Sequence, residues 1–269
     1  MIPDEIPLDI ASHIQNALAA IHPEVSKFTF PLFAADERGR PDLYASSVLV
    51  TVDGYAVLLT AAHAVHEITR TGSDVYLGAK TIVPIKTKFV RTSEDGRDEF
   101  DLAATIIPDE FLRSEAMHAM PQSRFCQQPY SSPPHIRCIH GYPLTKNKTR
   151  KRANITTNVF TKYGLTYAGA SNDVVDDYAL YGKHDSKHVA LRYQRQSRNE
   201  IGELITPPHP KGISGGGLWS IPNSFNPQTL FLDGIAIEFH GKSLVFATRI
   251  EHVVTFVRQS VFPALREHA

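Results

Sequence analysis

Residues 210–219 read Pro210-Lys211-Gly212-Ile213-Ser214-Gly215-Gly216-Gly217-Leu218-Trp219. Four glycines surround one serine, so the backbone turns tightly and little side-chain bulk shields the hydroxyl. Such a turn aims successive N–H groups at one point, which is what a developing oxyanion needs. The plainer reading is a glycine-rich turn whose serine only satisfies its own backbone. The neighbours of the turn decide between the two.

The same letters satisfy the G-x-S-x-G pattern of an esterase nucleophile elbow. That elbow needs a strand before the serine, a helix after it, and an acid then a histidine downstream. Here Pro207, Pro208 and Pro210 make residues 206–210 a poor strand, and the glycine run is a poor helix start. Asp233 with His240 or His252 has suitable chemistry, but no βα alternation surrounds them and only 55 residues follow Ser214. Upstream, the order His, Asp, Ser is complete. Leu58-Leu59-Thr60-Ala61-Ala62-His63 ends a run of large apolar residues with small ones and then a histidine, which leaves an imidazole in a cleft. Glu99-Phe100-Asp101-Leu102-Ala103 places a carboxylate just ahead of an apolar strand. Burial there is costly without a partner, and an imidazole N–H is a suitable one. Asp98 is the rival, but the apolar residues directly after Asp101 make Asp101 the buried one.

Outward from these motifs the texture is β. Residues 28–33, 47–52, 56–60, 80–90, 100–107, 135–140, 153–163, 188–193, 229–239 and 244–248 are rich in β-branched and aromatic residues and read as strands. Asp53-Gly54 is a hairpin signal between two of them. Helical spacing is confined to three places. Ile10, Ile14, Leu18 and Ile21 predict an opening helix started by Asp9 and ended by Pro23, and shorter helices are expected over 109–117 and 249–258. Many short strands with few helices predict an all-β chain of antiparallel barrels. Residues 130–134 are the most linker-like.

On Thr60-Ala61-Ala62-His63, Asp101-Leu102-Ala103 and Gly212-Ile213-Ser214-Gly215-Gly216 the chain resembles the trypsin-like, chymotrypsin-fold serine peptidases, specifically their bacterial, non-secreted members. His140-Gly141-Tyr142-Pro143, Gly234-Ile235-Ala236, Val245-Phe246-Ala247 and the closing helix add to the resemblance. It implies two six-stranded antiparallel barrels with the active site between them, plus an extra N-terminal helix and a C-terminal helix. The implied division is 1–25 for the helical extension, 26–129 for the barrel bearing His63 and Asp101, and 130–269 for the barrel bearing Ser214. The implied roles are Ser214 as nucleophile, His63 as general base and acid, and Asp101 as orienting carboxylate. The Gly212 and Ser214 N–H groups would form the oxyanion hole, a protein or peptide is the substrate, and no cofactor or metal is needed. Pro208 and His209 on one wall, with Glu238, Phe239 and His240 on the other, are the expected substrate-binding residues.

Three departures carry information. Ala64 stands where secreted relatives usually carry a cysteine, so that bridge is absent. Ile213 cannot ion-pair with a freshly cut N-terminus, which excludes zymogen activation of that kind. Ala236 or Ile237 occupies the place of a serine that often supports the aspartate, so Asp101 needs other support.

Composition bounds the rest. The chain of 269 residues has 28 Lys+Arg against 28 Asp+Glu, which excludes a dominant polybasic surface and makes nucleic acid an unexpected partner. The basic run Lys146, Lys148, Arg150, Lys151 and Arg152 lacks interleaved aromatic residues and reads as a solvated hairpin tip. Cys126 and Cys138 read as isolated thiols, and Asp4 and Glu5 stand where a signal peptide would be basic. Residues 43–65 are weakly charged, but Asp53-Gly54 breaks them into two strands and a turn, and no membrane span is expected. A cytoplasmic location follows as the expectation, and with it gating by a regulatory protein partner. The spacings His63-x-x-His66 and His184-x-x-x-His188 could suit zinc but lack a nearby cysteine, and Asp173, Asp176 and Asp177 read as an acidic loop. A catalytically quiet binding module on the same fold is the alternative from another functional class.

Overall fold

β1 (Thr29–Ala35) pairs with β2 (Pro41–Val52), and Asp53-Gly54 turns the chain into β3 (Tyr55–Ala61). Both turn residues have positive φ, +48° and +87°, the pairing that lets a two-residue hairpin follow the strand twist. The computed structural model describes residues 8–35, 40–95, 98–126, 136–147, 162–169, 175–194, 196–198, 203–221, 229–241 and 243–266. Among them the chain is mainly β, in two large antiparallel sheets with a few short helices.

The first sheet adds β4 (Tyr76–Gly78), β5 (Ile82–Pro84), β6 (Val90–Arg91) and β7 (Leu102–Ile106), in the order β5-β4-β1-β2-β3-β7-β6. It has seven strands where six were expected, because residues 80–90 do not form one strand. Pro84 ends β5 on one edge, and β6 begins on the opposite edge. The link between them reaches about 22 Å at full stretch. Six spacings of about 4.8 Å would hold the edges of a flat sheet about 29 Å apart. The sheet therefore curls until its edges approach.

The second sheet contains β8 (Ile136–Gly141), β9 (Leu165–Gly169), β10 (His188–Arg192), β13 (Gly217–Ile221), β14 (Phe231–His240) and β15 (Leu244–Arg249), in the order β10-β15-β14-β13-β8-β9. Between β10 and β13, the short strands β11 (Ser197–Arg198) and β12 (Leu204–Ile205) form a separate ribbon. The edges of the large sheet meet: a side chain at Gly169 would lie 2.1 Å from Arg192 O, and the Tyr167 and Tyr193 rings are 4.3 Å apart. The expected strand over 153–163 falls mostly, and the linker over 130–134 entirely, outside the described residues.

Alternation along β2 and β3 builds two cores from one hairpin. Leu49, Ala56 and Leu58 face Leu32, Ile68 and Leu77 inside the curl of the first sheet. Val48, Val50, Val52, Val57 and Leu59 face outward, against Cys138, Trp219, Leu232 and Ile235 of the second sheet. Both faces are buried, which accounts for the apolar texture of residues 43–65; among the described residues no helix is long and apolar enough to cross a membrane. The C-terminal helical segment closes this shared core with Ile250, Val253, Phe256, Val257 and Val261. It comprises α4 (Ile250–Phe256), a π-helical turn (Val257–Val261) and α5 (Phe262–Arg266), following α2 (Ala62–Arg70) and α3 (Asp109–Ser114) in the chain.

The opening helix α1 (Leu8–Ser26) runs past Pro23 instead of stopping there. One backbone bond is lost in the last turn, while Ala17, Ile21 and Val25 pack into the shared core and Ser26 Oγ donates to His22 O at 2.6 Å. The helix also docks on buried His140 of β8. His140 Nδ1 and His22 Nδ1 share Thr166 Oγ1 at 2.8 and 2.7 Å, and Ser26 Oγ is 3.3 Å from His140 Nε2. Burial, with the charges of His22 and Lys162, holds the His140 imidazole well below its ordinary pKa.

A neutral buried histidine sets the sign of an acid effect. Below about pH 6.5 the unfolded chain takes up a proton that folded His140 refuses, so stability falls as pH falls through that value. Urea midpoints compared at about pH 7.5 and 5.5 should show this loss, and His140→Gln should reduce the difference between the two midpoints.

Candidate active site

β3 delivers the histidine. Ala61 pairs with Leu102 at the end of the strand, and His63 follows within the first turn of α2. Ala61, Ala62 and Ala64 are buried and fill little volume, so the imidazole stands partly in the open, its side chain 42% exposed. Asp101 lies across from it, 8% exposed. The two carboxylate oxygens divide their work: Oδ2 lies 2.6 Å from His63 Nδ1, and Oδ1 accepts the His63 backbone N–H at 2.8 Å. This geometry puts a proton on Nδ1 and leaves Nε2 free to act as a base. Burial lowers the His63 pKa, but the hydrogen bond and charge of Asp101, with the charges of Glu238 and Glu67, outweigh it and hold the net value above the ordinary one.

Asp101 adopts φ +48°, a left-handed conformation uncommon outside glycine and more accessible to Asp and Asn. Its N–H donates to Asp98 Oδ1 at 3.1 Å, and Thr92 Oγ1 donates to the same oxygen at 2.7 Å. Asp98, the rival carboxylate in the sequence, therefore holds the loop from which Asp101 projects. The support that Ala236 and Ile237 cannot give comes from Asp98 and from the His63 backbone.

The serine turn is fastened to the first sheet. Ser46 N–H donates to Ser214 O at 2.9 Å, and Ser46 Oγ donates to Gly212 O at 2.8 Å while accepting the Tyr142 N–H at 2.8 Å. Thr60 Oγ1, three residues ahead of His63, donates to Ser46 O at 2.7 Å. Contact is close enough to forbid a side chain at Gly215: a Cβ there would lie 2.0 Å from Ser46 O and 2.2 Å from Thr60 Oγ1, at φ +84°. Gly212, at φ +97°, is hemmed in by Tyr142 O and Leu144 N. Behind the turn, Gly215 N–H donates to Ala236 O at 2.6 Å. Among the described residues neither the Gly212 nor the Ser214 N–H donates to a protein carbonyl, and Ser214 is half-buried. The Ser214 turn is thus tied through Ser46 and Thr60 to the strand that delivers His63, while among the described residues no hydrogen bond joins Ser214 to His63.

The five expected substrate-binding residues also gather. His209 and Phe239 rings meet edge to face at 5.4 Å, and Tyr193 touches both walls, through Phe239 at 5.8 Å and by donating to Pro208 O at 2.5 Å. Glu238 lies 2.8 Å from Lys183 Nζ and 3.2 Å from His240 Nδ1. Burial raises its pKa, but these two partners prevail and keep the carboxyl below the ordinary range. Its side chain remains 40% exposed.

Other residues singled out in the sequence have different occupations. Asp233 is buried against Arg137 Nε at 2.7 Å and Ser220 Oγ at 2.6 Å, and His252 Nε2 lies 3.0 Å from Ser186 O. Neither pairing serves an elbow centred on Ser214. His66 Nδ1 lies 3.0 Å from Glu94 O, and His188 Nδ1 accepts the His184 N–H at 3.0 Å. Cys126 and Cys138 are not bridged, and burial pushes the Cys138 thiol up. Of the basic run only Lys146 is described, and Asp173 also lies outside the described residues.

No family model matches the chain, and no curated protein matches it. Among solved structures it is similar to one reported under the heading "Aromatic interactions drive the coupled folding and binding of the intrinsically disordered Sesbania mosaic virus VPg protein", at 14% identity and a TM-score of 0.48. The match covers 87% of this chain and 97% of that one. A likeness at this level assigns neither family nor activity.

Sequence reasoning missed Ser46 and the part that Thr60 plays in holding it. Their signal is a hydroxyl inside a mostly apolar run of strand, since a buried hydroxyl must find partners. Ser46→Ala removes a hydroxyl that serves both Gly212 O and Tyr142 N–H. We expect a loss of about 1–3 kcal/mol, read as a lower urea midpoint at unchanged slope.

Proposed function

We propose that the chain is a serine endopeptidase of the trypsin-like, chymotrypsin-fold kind, acting through Ser214, His63 and Asp101. Two antiparallel sheets with a strongly curled member are compatible with that double-barrel fold. The observation that carries the reading is the junction itself. The carbonyls of Ser214 and Gly212 are tied to Ser46, and Ser46 to Thr60, just ahead of a histidine already paired with a carboxylate.

In this reading Ser214 Oγ attacks the carbonyl carbon of a peptide while His63 Nε2 takes its proton. Asp101 holds the Nδ1 proton and stabilises the imidazolium. Negative charge moves to the carbonyl oxygen, where the Gly212 and Ser214 N–H groups receive it. The imidazolium then protonates the leaving amine, an ester remains on Ser214, and water activated by the same histidine releases the acid and regenerates the serine. The substrate is a protein or peptide whose side chain enters between Pro208–His209 and Glu238–His240. Unbridged Cys126 and Cys138, with Ala64 beside the histidine, support a reducing compartment such as the cytoplasm of a bacterium. Gating by a regulatory protein would suit such a location.

A fluorophosphonate probe tests the nucleophile. Wild type should label, Ser214→Ala should not, and Asp101→Asn should label on the order of 10³–10⁴-fold more slowly. Labelling that survives in Ser214→Ala removes the nucleophile assignment; a silent wild type favours the non-catalytic binding module. The rate also carries a pH signature. His63 must be neutral to act, so activity should disappear as pH falls through its raised pKa, with the acid midpoint above about 6.5. Replacing Asp101 by Asn should move that midpoint down.

A further inference from the structure

The peptide group between Phe100 and Asp101 is pinned at both ends. Its N–H donates to Asp98 Oδ1 at 3.1 Å, in the loop that leads into β7 of the first sheet. Its carbonyl accepts from Thr248 Oγ1 at 2.7 Å, a hydroxyl on β15 of the second sheet. One residue earlier, Glu99 O lies 2.8 Å from His188 Nε2 on β10. His188 and Thr248 face each other across the β10–β15 ladder and are fully buried. Nε2 faces a carbonyl oxygen, which can only accept, so His188 carries a proton there; its Nδ1 lies 3.0 Å from both the N–H and the carbonyl oxygen of His184, and in the neutral ring it accepts the N–H.

From these contacts we infer that Thr248, assisted by His188, is a positioning residue for Asp101, a reading that rests on the proposed triad. Fixing the plane of the Phe100–Asp101 peptide removes the main freedom about φ of Asp101, which is otherwise in a sparsely populated region. With φ fixed, the carboxylate keeps both bonds to His63. The second sheet thereby orients an acid that the first sheet supplies. Lys187, which pairs with Glu99 at 2.6 Å, reinforces the same contact from the surface.

Thr248→Val keeps shape and burial but removes the donor, and Thr248→Ser returns it. Two readouts separate positioning from general stability, both taken well below the melting temperature. The first is the far-downfield proton resonance of the His63 Nδ1–H bonded to Asp101, which requires no turnover. The second is the fluorophosphonate labelling rate. Thr248→Val should broaden or lose the resonance and slow labelling by about 10–100-fold, and Thr248→Ser should restore both. His188→Leu should act in the same direction more weakly. A Thr248→Val protein that keeps the wild-type resonance and labelling rate, even with a lower melting temperature, would overturn the inference. If wild type has the resonance, Thr248→Val loses it and neither protein labels, the positioning stands and only the peptidase reading fails.

Discussion

Ser46 is the point on which the two sheets turn. Its N–H, hydroxyl and carbonyl all have partners in the buried interface: Ser214, Gly212, Tyr142 and Thr60. A polar group wholly removed from water is costly unless every bond is made, and here four bonds tie three other pieces of chain to β2: the serine turn, the segment at Tyr142 and β3. Gly215 follows from the same contact, because the backbone at Ser46 and Thr60 leaves no space for a Cβ. The serine turn is therefore shaped by its neighbour across the junction as much as by its own glycines.

Exchange of support between the sheets is the larger pattern. The first sheet holds the Ser214 turn through Ser46 and Thr60, and the second holds the Asp101 loop through Thr248 and His188. Apolar packing of Val48, Val50 and Leu59 against Trp219 and Ile235 brings the surfaces together, and the buried polar bonds fix their register. Assembly of the site and docking of the sheets are then one event. The helix α1 shares in it, since Ile21 and Val25 enter the same core and His140 lies between that helix and Gly216.

Legibility in the sequence followed the range of the interaction. The Asp53-Gly54 hairpin was readable because its φ values are demanded by two adjacent residues. The pairing of His63 with Asp101 was readable from chemistry and order, since a carboxylate entering an apolar strand needs a partner. Residues 80–90 misled because β propensity is continuous there, whereas Pro84 and the closure of the sheet divide the run between opposite edges. Pro23 misled for the opposite reason, a strong local signal overridden by burial of Val25. The roles of Ser46, Thr60, Thr248 and His188 were invisible singly: each acts through a partner 14 to 168 residues away.

In the proposed reading this junction makes Ser214 a nucleophile. An activated ester of a short peptide, quenched in acid during turnover and followed by peptide mapping in a mass spectrometer, locates the acyl group. The acyl mass is expected on Ser214, in the peptide that contains Gly212 and Gly215. Turnover with the acyl group on another residue, or with none on Ser214 at any quench time, would contradict it.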